Sequence, residues 1–250
     1  MVPMTGPTNF QERILALMET KHHWAWPQFS GPSILREHLR THYQQEWAVY
    51  VRDFPVLLAR VHGKNPPWDV RQALAENSYE EDTGKLSVGR SHPDLFLEMM
   101  EGLGFARADF ETVTLLPASR RYRRWLDQVT GMSDWLVGVA VLTIFVEGSI
   151  HDRRELGIPS EPKTTSEIEA VLDRHPLVRH HGVKRSSMDL IRAHQMVEAG
   201  HRQAAYTMVL EHARTPGQQK SVLKALGSSL EYWLGFRDGV AAACQLHEPS

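Results

Sequence analysis

The stretch WLVGVAVLTIFVE, residues 135–147, decides the fold. Wound as a helix, it is apolar on every face from Trp135 to Val146, so it belongs inside a packed protein and not on its surface. The run is too short to cross a bilayer, which takes about 20 residues. Glu147 ends it. An ionised carboxylate buried at that point costs several kcal/mol unless a charge, a hydrogen bond or a metal compensates it. Gly148 and Ser149 offer the other reading, a frayed helix end whose first polar residue reaches water. The sequence leaves both standing.

Outward from this core helix the hydrophobic period stays helical. Helices are expected over 9–20, over 33–61 with a bend at Pro55, over 68–81, 93–103, 117–130, 133–151, 186–213 and 216–243. Asn65-Pro66-Pro67 and Thr215-Pro216-Gly217 are breaks, and Pro93 sits in a first helical turn. An irregular excursion is expected at about 153–183, holding a short helix that starts at a Ser166/Glu169 capping box. Strand-type alternation is almost absent. The expected fold is all-α, a single domain over 1–250 with roughly seven to nine mostly antiparallel helices joined by short connections.

Composition narrows the function classes. The 250 residues carry a net charge of −2, which gives no reason to expect nucleic acid or an acidic membrane surface as partner. One cysteine, Cys244, excludes an intrachain disulfide framework. The segment MVPMTGPTNF lacks the basic-then-apolar pattern of a signal peptide, so a cytoplasmic location is expected. The 14 histidines are many, and histidine is the commonest metal ligand, but the count alone assigns nothing.

Three groups of polar residues stand out. In RAHQMVEAGHRQ, residues 192–203, His194, Glu198 and His201 are spaced four and three apart and share one helical face. Such a face is either a solvated stripe or a set of ligands, since Glu-x-x-His on core helices serves carboxylate-bridged dinuclear metal sites. In ENSYEEDTGKLSVGRSHPDLF, residues 76–96, His92 follows Glu81 by eleven positions, close to three helical turns. Gly84 and Gly89 between them point to a loop instead, and the acids Glu80, Glu81 and Asp82 also read as a solvated helix end. Glu147 is the third element. Together the three regions supply three carboxylates and three imidazoles, the donor set for two iron or two manganese ions.

The order of these elements resembles the heme-oxygenase-like diiron oxidases and oxygenases, relatives of the thiaminase-II and pyrroloquinoline-quinone-synthase-like proteins. The resemblance runs from about His23 to the last helix and is carried by RQALAENSYEEDTG, SHPDLFLEMMEGLG, VLTIFVEGSI and HQMVEAGH. It implies a heme-oxygenase-like bundle. It implies the ligands Glu81 (with Asn77 four before it and Gly84 three after), His92, Glu147, His194, Glu198 and His201. It implies two Fe(II) ions (or Mn), the second loosely held, O2 as co-substrate, and an amino-acid-like or fatty-acid substrate. The Glu81-to-His92 spacing is four residues longer here than in a chlamydial member.

Aminobenzoate formation, an activity of that member, is not expected. GSIHDRRELG after Glu147 has no lysine, and HHWAWPQF, residues 22–29, has no tyrosine. The segment around His22, His23, Trp24 and Trp26 resembles one that caps the family's substrate cavity. Cys244, near the chain end, is poorly placed for a thiaminase nucleophile. His151, one turn after Glu147, reads as a surface histidine in preference to an extra ligand, and the pair His180-His181 reads as a loop pair that is not a ligand but could gate the site. The run Arg120, Arg121, Arg123, Arg124 reads as a solvated helix start in preference to a carboxylate clamp. The competing readings are a metal-free cofactor-biosynthesis oxidase of the same fold and a non-catalytic helical binding protein. The expected partner is a small organic molecule, with a homodimer left open.

Overall fold

The computed structural model describes residues 7–157 and 163–248, the side chains at 7, 8, 198, 199 and 201 excepted. No strand occurs among them. The principal helices are α1 (Pro7–Met18), α2 (Arg36–Glu46, running on as a π-helix Trp47–Val51), α3 (Phe54–His62), α4 (Trp68–Thr83), α5 (His92–Gly102) and α6 (Pro117–Met132). They continue with α7 (Trp135–Val139, running on as a π-helix Ala140–Val146), α8 (Thr165–Arg174), α9 (Asp189–His212) and α10 (Pro216–Ala243). Four single-turn or slightly longer helices and a 3-10 turn fill the connections.

The apolar run is the centre of the bundle. Asp134 caps it by accepting a hydrogen bond from the Leu136 N–H at 2.9 Å. Residues Val139–Phe145 are buried without exception. α9 and α10 both pack against the π-helical half of α7, α10 also packs on α6, and α3 packs on α4. Thr215 and Gln218 form the capping box that starts α10.

Several boundaries differ from the sequence expectation. The pattern over 33–61 is two helices, not one bent at Pro55: the chain breaks at Asp53 and restarts with Pro55 in a first turn, where its missing N–H has no partner to lose. The capping box before α8 lies two residues earlier, with Thr164 and Glu167 exchanging both bonds, and Ser166 falls inside the first turn. The excursion over 153–183 is more helical than expected. It holds Asp152–Leu156, α8 and Pro176–His181, while 158–162 lie outside the described residues. The core helix stops at Val146 and not at 151.

α4 ends where Gly84 takes up the left-handed conformation, φ +60°, and returns its N–H to the Glu80 carbonyl at 2.7 Å. A Cβ at Gly84 would run into the Arg90 backbone. Gly84→Ala is therefore expected to lower stability by more than about 1 kcal/mol. The check is a urea midpoint that falls at unchanged slope.

Candidate metal centre

The site is assembled from α2, α4, α5, α7 and α9. Glu81 sits in the last turn of α4, and Ser91 caps the start of α5 so that His92 occupies its first position. His194 comes from the second turn of α9. Ligand atoms of Glu81, His92 and His194 all lie within 4.8 Å of one another. The His92 and His194 rings meet edge to face, with centroids 5.0 Å apart. The loop through Gly84 and Gly89 brings Glu81 and His92 together, so the long spacing is bridged by a turn and not by an extra turn of helix.

His92 is buried. Its Nδ1 lies 3.0 Å from Glu81 Oε1, yet makes no hydrogen bond of acceptable geometry. Burial pulls the His92 pKa down, but the Glu81 and Glu80 carboxylates outweigh it and hold the value above the ordinary one. A nitrogen and carboxylate oxygens converging in a buried place, without satisfying one another, is the arrangement a hard cation completes.

Glu147 turns inward. It ends the π-helical stretch of α7, its N–H bonded to the Leu142 carbonyl, and its Oε1 accepts from Asn77 Nδ2 at 2.8 Å. Desolvation pushes its pKa up to about 7, against the Asn77 bond, which lowers it; the nearby Glu81 charge pushes the same way as burial. The frayed-end reading of Glu147 is thus replaced by a half-buried carboxyl facing a cavity. That cavity measures about 230 Å³ and is walled by Glu81, His92, Glu147 and His194, by Tyr50 and Arg202, and by apolar Val51, Phe54, Val146, Leu190 and Val197. The π-helical stretches of α2 and α7 both open onto it; such widened turns recur at functional sites because they re-aim side chains. Four of the six sequence candidates share this cavity. The side chains of the other two, Glu198 and His201, lie outside the described residues, although α9 carries both positions.

The acid cluster divides by direction. Asp82 is exposed, Glu81 faces the cavity, and Glu80 is fully buried, so the solvated-end reading holds for Asp82 alone. Arg202, on the polar side of α9, is not solvated either. It donates to the Thr143 carbonyl at 3.1 Å and to the Glu147 carbonyl, and lies 3.4 Å from Asp152. It closes the cavity behind Glu147. Nothing in the local sequence pattern separated it from its neighbours.

A second cavity, about 350 Å³, shares Tyr50 and Val146 with the first and is capped by His22, His23 and Trp26. His23 is held by Asp238 at 2.9 Å. Lys21 reaches into this region and donates to the carbonyls of Phe145 and Gly148, both at 2.6 Å. Desolvation, with repulsion from Arg202, takes its pKa down to about 7. Lys21 lines the second cavity and not the first, and Tyr50 lines both. His151 is exposed, and Arg123 pairs with Asp53 and Asp127 instead of facing either cavity. Cys244 is buried, with its thiol pKa pushed up to about 11 by desolvation, which leaves it an inert core residue.

A family model described as an iron-containing redox enzyme matches residues 41–234. The 4-aminobenzoate synthase of Nitrosomonas europaea is 22% identical over 245 residues, 93% of this chain and 91% of that protein. A TenA homologue from Pseudomonas syringae pv. tomato superposes with a TM-score of 0.70 at 15% identity, over 97% of this chain and 98% of its own. A domain of unknown function with a heme oxygenase-like fold, from Shewanella denitrificans, superposes with a TM-score of 0.69 at 16% identity, over 97% and 94%. The bundle therefore has the heme-oxygenase-like fold.

Proposed function

This chain belongs to the family of iron-containing redox enzymes, and on that premise we propose that it is a non-heme diiron oxidase acting on a small organic substrate with O2. The observation that carries the reading is the convergence of Glu81, His92 and His194 within 4.8 Å at the wall of a cavity that Glu147 also faces. Glu81, His92 and His194 would hold one ion. Glu147, with Glu198 and His201 of α9, would hold the second. Bound iron supplies the electrons and the open coordination positions that O2 needs.

The protein's own part can be stated residue by residue. Asn77 fixes the Glu147 carboxylate by its 2.8 Å hydrogen bond. Burial holds the Glu147 pKa up at about 7, so a cation bound there competes with a proton for this carboxylate. Val51, Phe54, Val146, Leu190 and Val197 keep the cavity poor in water. Arg202 holds the carbonyl end of α7 and so the depth at which Glu147 enters. The substrate would approach through the second cavity, whose Tyr50 and Val146 form the shared wall. Similarity to a 4-aminobenzoate synthase adds an aromatic acid, 4-aminobenzoate, as a candidate product beside the amino-acid-like and fatty-acid substrates.

The test is anaerobic loading with Fe(II), elemental analysis, and O2 uptake across a panel of fatty acids, amino acids and aromatic acids. About two irons per chain, with O2 uptake stimulated by one class, is the expected result. Iron at background would overturn the reading and leave a metal-free bundle. No helix among the described residues is long and apolar enough to cross a membrane.

A further inference from the structure

The loop between Glu81 and His92 is folded around a carboxylate whose oxygens are already engaged. Glu80 is fully buried. Its Oε2 accepts from the Leu86 backbone N–H at 2.7 Å. Its Oε1 accepts from the Ser87 hydroxyl and lies 3.2 Å from His92 Nε2. Its own carbonyl accepts the Gly84 N–H, so main chain and side chain of one residue both hold the loop. Glu81, and not Glu80, lines the metal cavity.

The two ring nitrogens of His92 therefore meet different carboxylates: Nε2 meets Glu80, and Nδ1 meets Glu81. A neutral imidazole carries one proton, and only its bare nitrogen can bind a metal. Only Nε2 is hydrogen-bonded, to Glu80 at 3.2 Å, whereas Nδ1 makes no hydrogen bond with Glu81; the proton therefore sits on Nε2 and leaves the Nδ1 lone pair on the Glu81 side. We propose that Glu80 is a positioning residue that holds His92 in its Nε2–H tautomer, so that Nδ1 is the ligand atom. The inference rests on the metal reading given above.

Glu80→Gln keeps the shape and removes the logic. The Leu86 N–H can only donate, so it takes the amide oxygen and turns the amide NH2 towards Ser87 and His92. The Ser87 hydroxyl can rotate to accept. His92 Nε2 can stay beside an NH2 group only as an acceptor, which moves its proton to Nδ1, the nitrogen the metal needs. A role in packing alone would be untouched by this exchange.

The experiment uses Zn(II), which is diamagnetic, as the probe. Long-range proton–nitrogen spectra of the 15N-histidine-labelled, zinc-loaded wild type are expected to show His92 bound through Nδ1 and protonated at Nε2. Glu80→Gln is expected to weaken Zn(II) binding about 10–100-fold, the range for losing an orienting partner. In the metal-free variant the His92 proton is expected on Nδ1. Zinc bound through Nε2 in the wild type would overturn the proposal, as would a Glu80→Gln variant with unchanged affinity and tautomer. The wild-type spectrum decides without any variant having to fold. A wild type that binds neither zinc nor iron would instead remove the metal reading, a result distinct from the other two.

Discussion

Replacing His92 with alanine is expected to reduce iron after anaerobic Fe(II) loading to background, whereas Glu147→Ala is expected to retain close to one ion per chain. The difference follows from geometry. His92 is one of three residues whose ligand atoms lie within 4.8 Å of one another, and it is also the link between Glu81 and the buried Glu80. Its loss leaves Glu81 and His194 as the cluster's two donors and takes the imidazole from between Glu80 and Glu81. Losing an outer partner costs about 10–100-fold in metal affinity, and losing a ligand costs more than that. Glu147 shares the cavity but is held by Asn77, outside the cluster of three. On the proposed two-ion reading, removing it takes a carboxylate from the second ion and leaves the first with its ligands. Elemental analysis and the Co(II) absorption spectrum of each variant measure this directly. Equal iron in wild type and His92→Ala would place the metal elsewhere.

Arg237→Ala is expected to produce the largest loss of stability. Arg237 lies buried on α10 and donates to Glu46 Oε1 at 2.6 Å, while Tyr50 donates to the same oxygen at 3.0 Å. His42 Nε2 stands 3.7 Å from the other oxygen. Desolvation raises the Glu46 pKa, and Arg237, His42 and Tyr50 together outweigh it and hold the value below the ordinary one. Removing the guanidinium leaves a carboxylate in the core without its cation, and breaking such a pair typically costs about 3–5 kcal/mol. For a chain of this length that corresponds to a fall in Tm of roughly 6–20 °C. The loss should shrink when Glu46→Gln is combined with Arg237→Met, because no uncompensated charge then remains. A calorimetric scan of the three proteins checks both statements. Since Tyr50 belongs to the π-helical stretch that walls the metal cavity, Arg237→Ala should also loosen that wall.

The helical class, the central position of α7 and the grouping of acids and histidines were legible in the sequence because each rests on local periodicity and on the cost of burying an apolar or charged group. Glu147 was legible as an anomaly, but its direction was not. A helix end looks the same in sequence whether its next residue meets water or a cavity, and only the packing of α9 against α7, with the Asn77 bond from α4, closes that end. The three acids Glu80, Glu81 and Asp82 show the limit most sharply. Successive residues on a helix point about 100° apart, so adjacent acidic side chains can be buried anchor, cavity wall and solvated charge in turn, and the loop that selects among them is built by the left-handed turn at Gly84.

Lys21 and Arg202 were invisible as site residues for a related reason. Each acts on the carbonyl end of α7 across more than fifty residues of chain, an arrangement with no spacing rule. Local sequence determined the all-α class, the buried helix and the inventory of donors, since these depend on composition and period along one element. Tertiary structure alone decided which donors meet and which cations brace the site, since convergence depends on how separate helices pack.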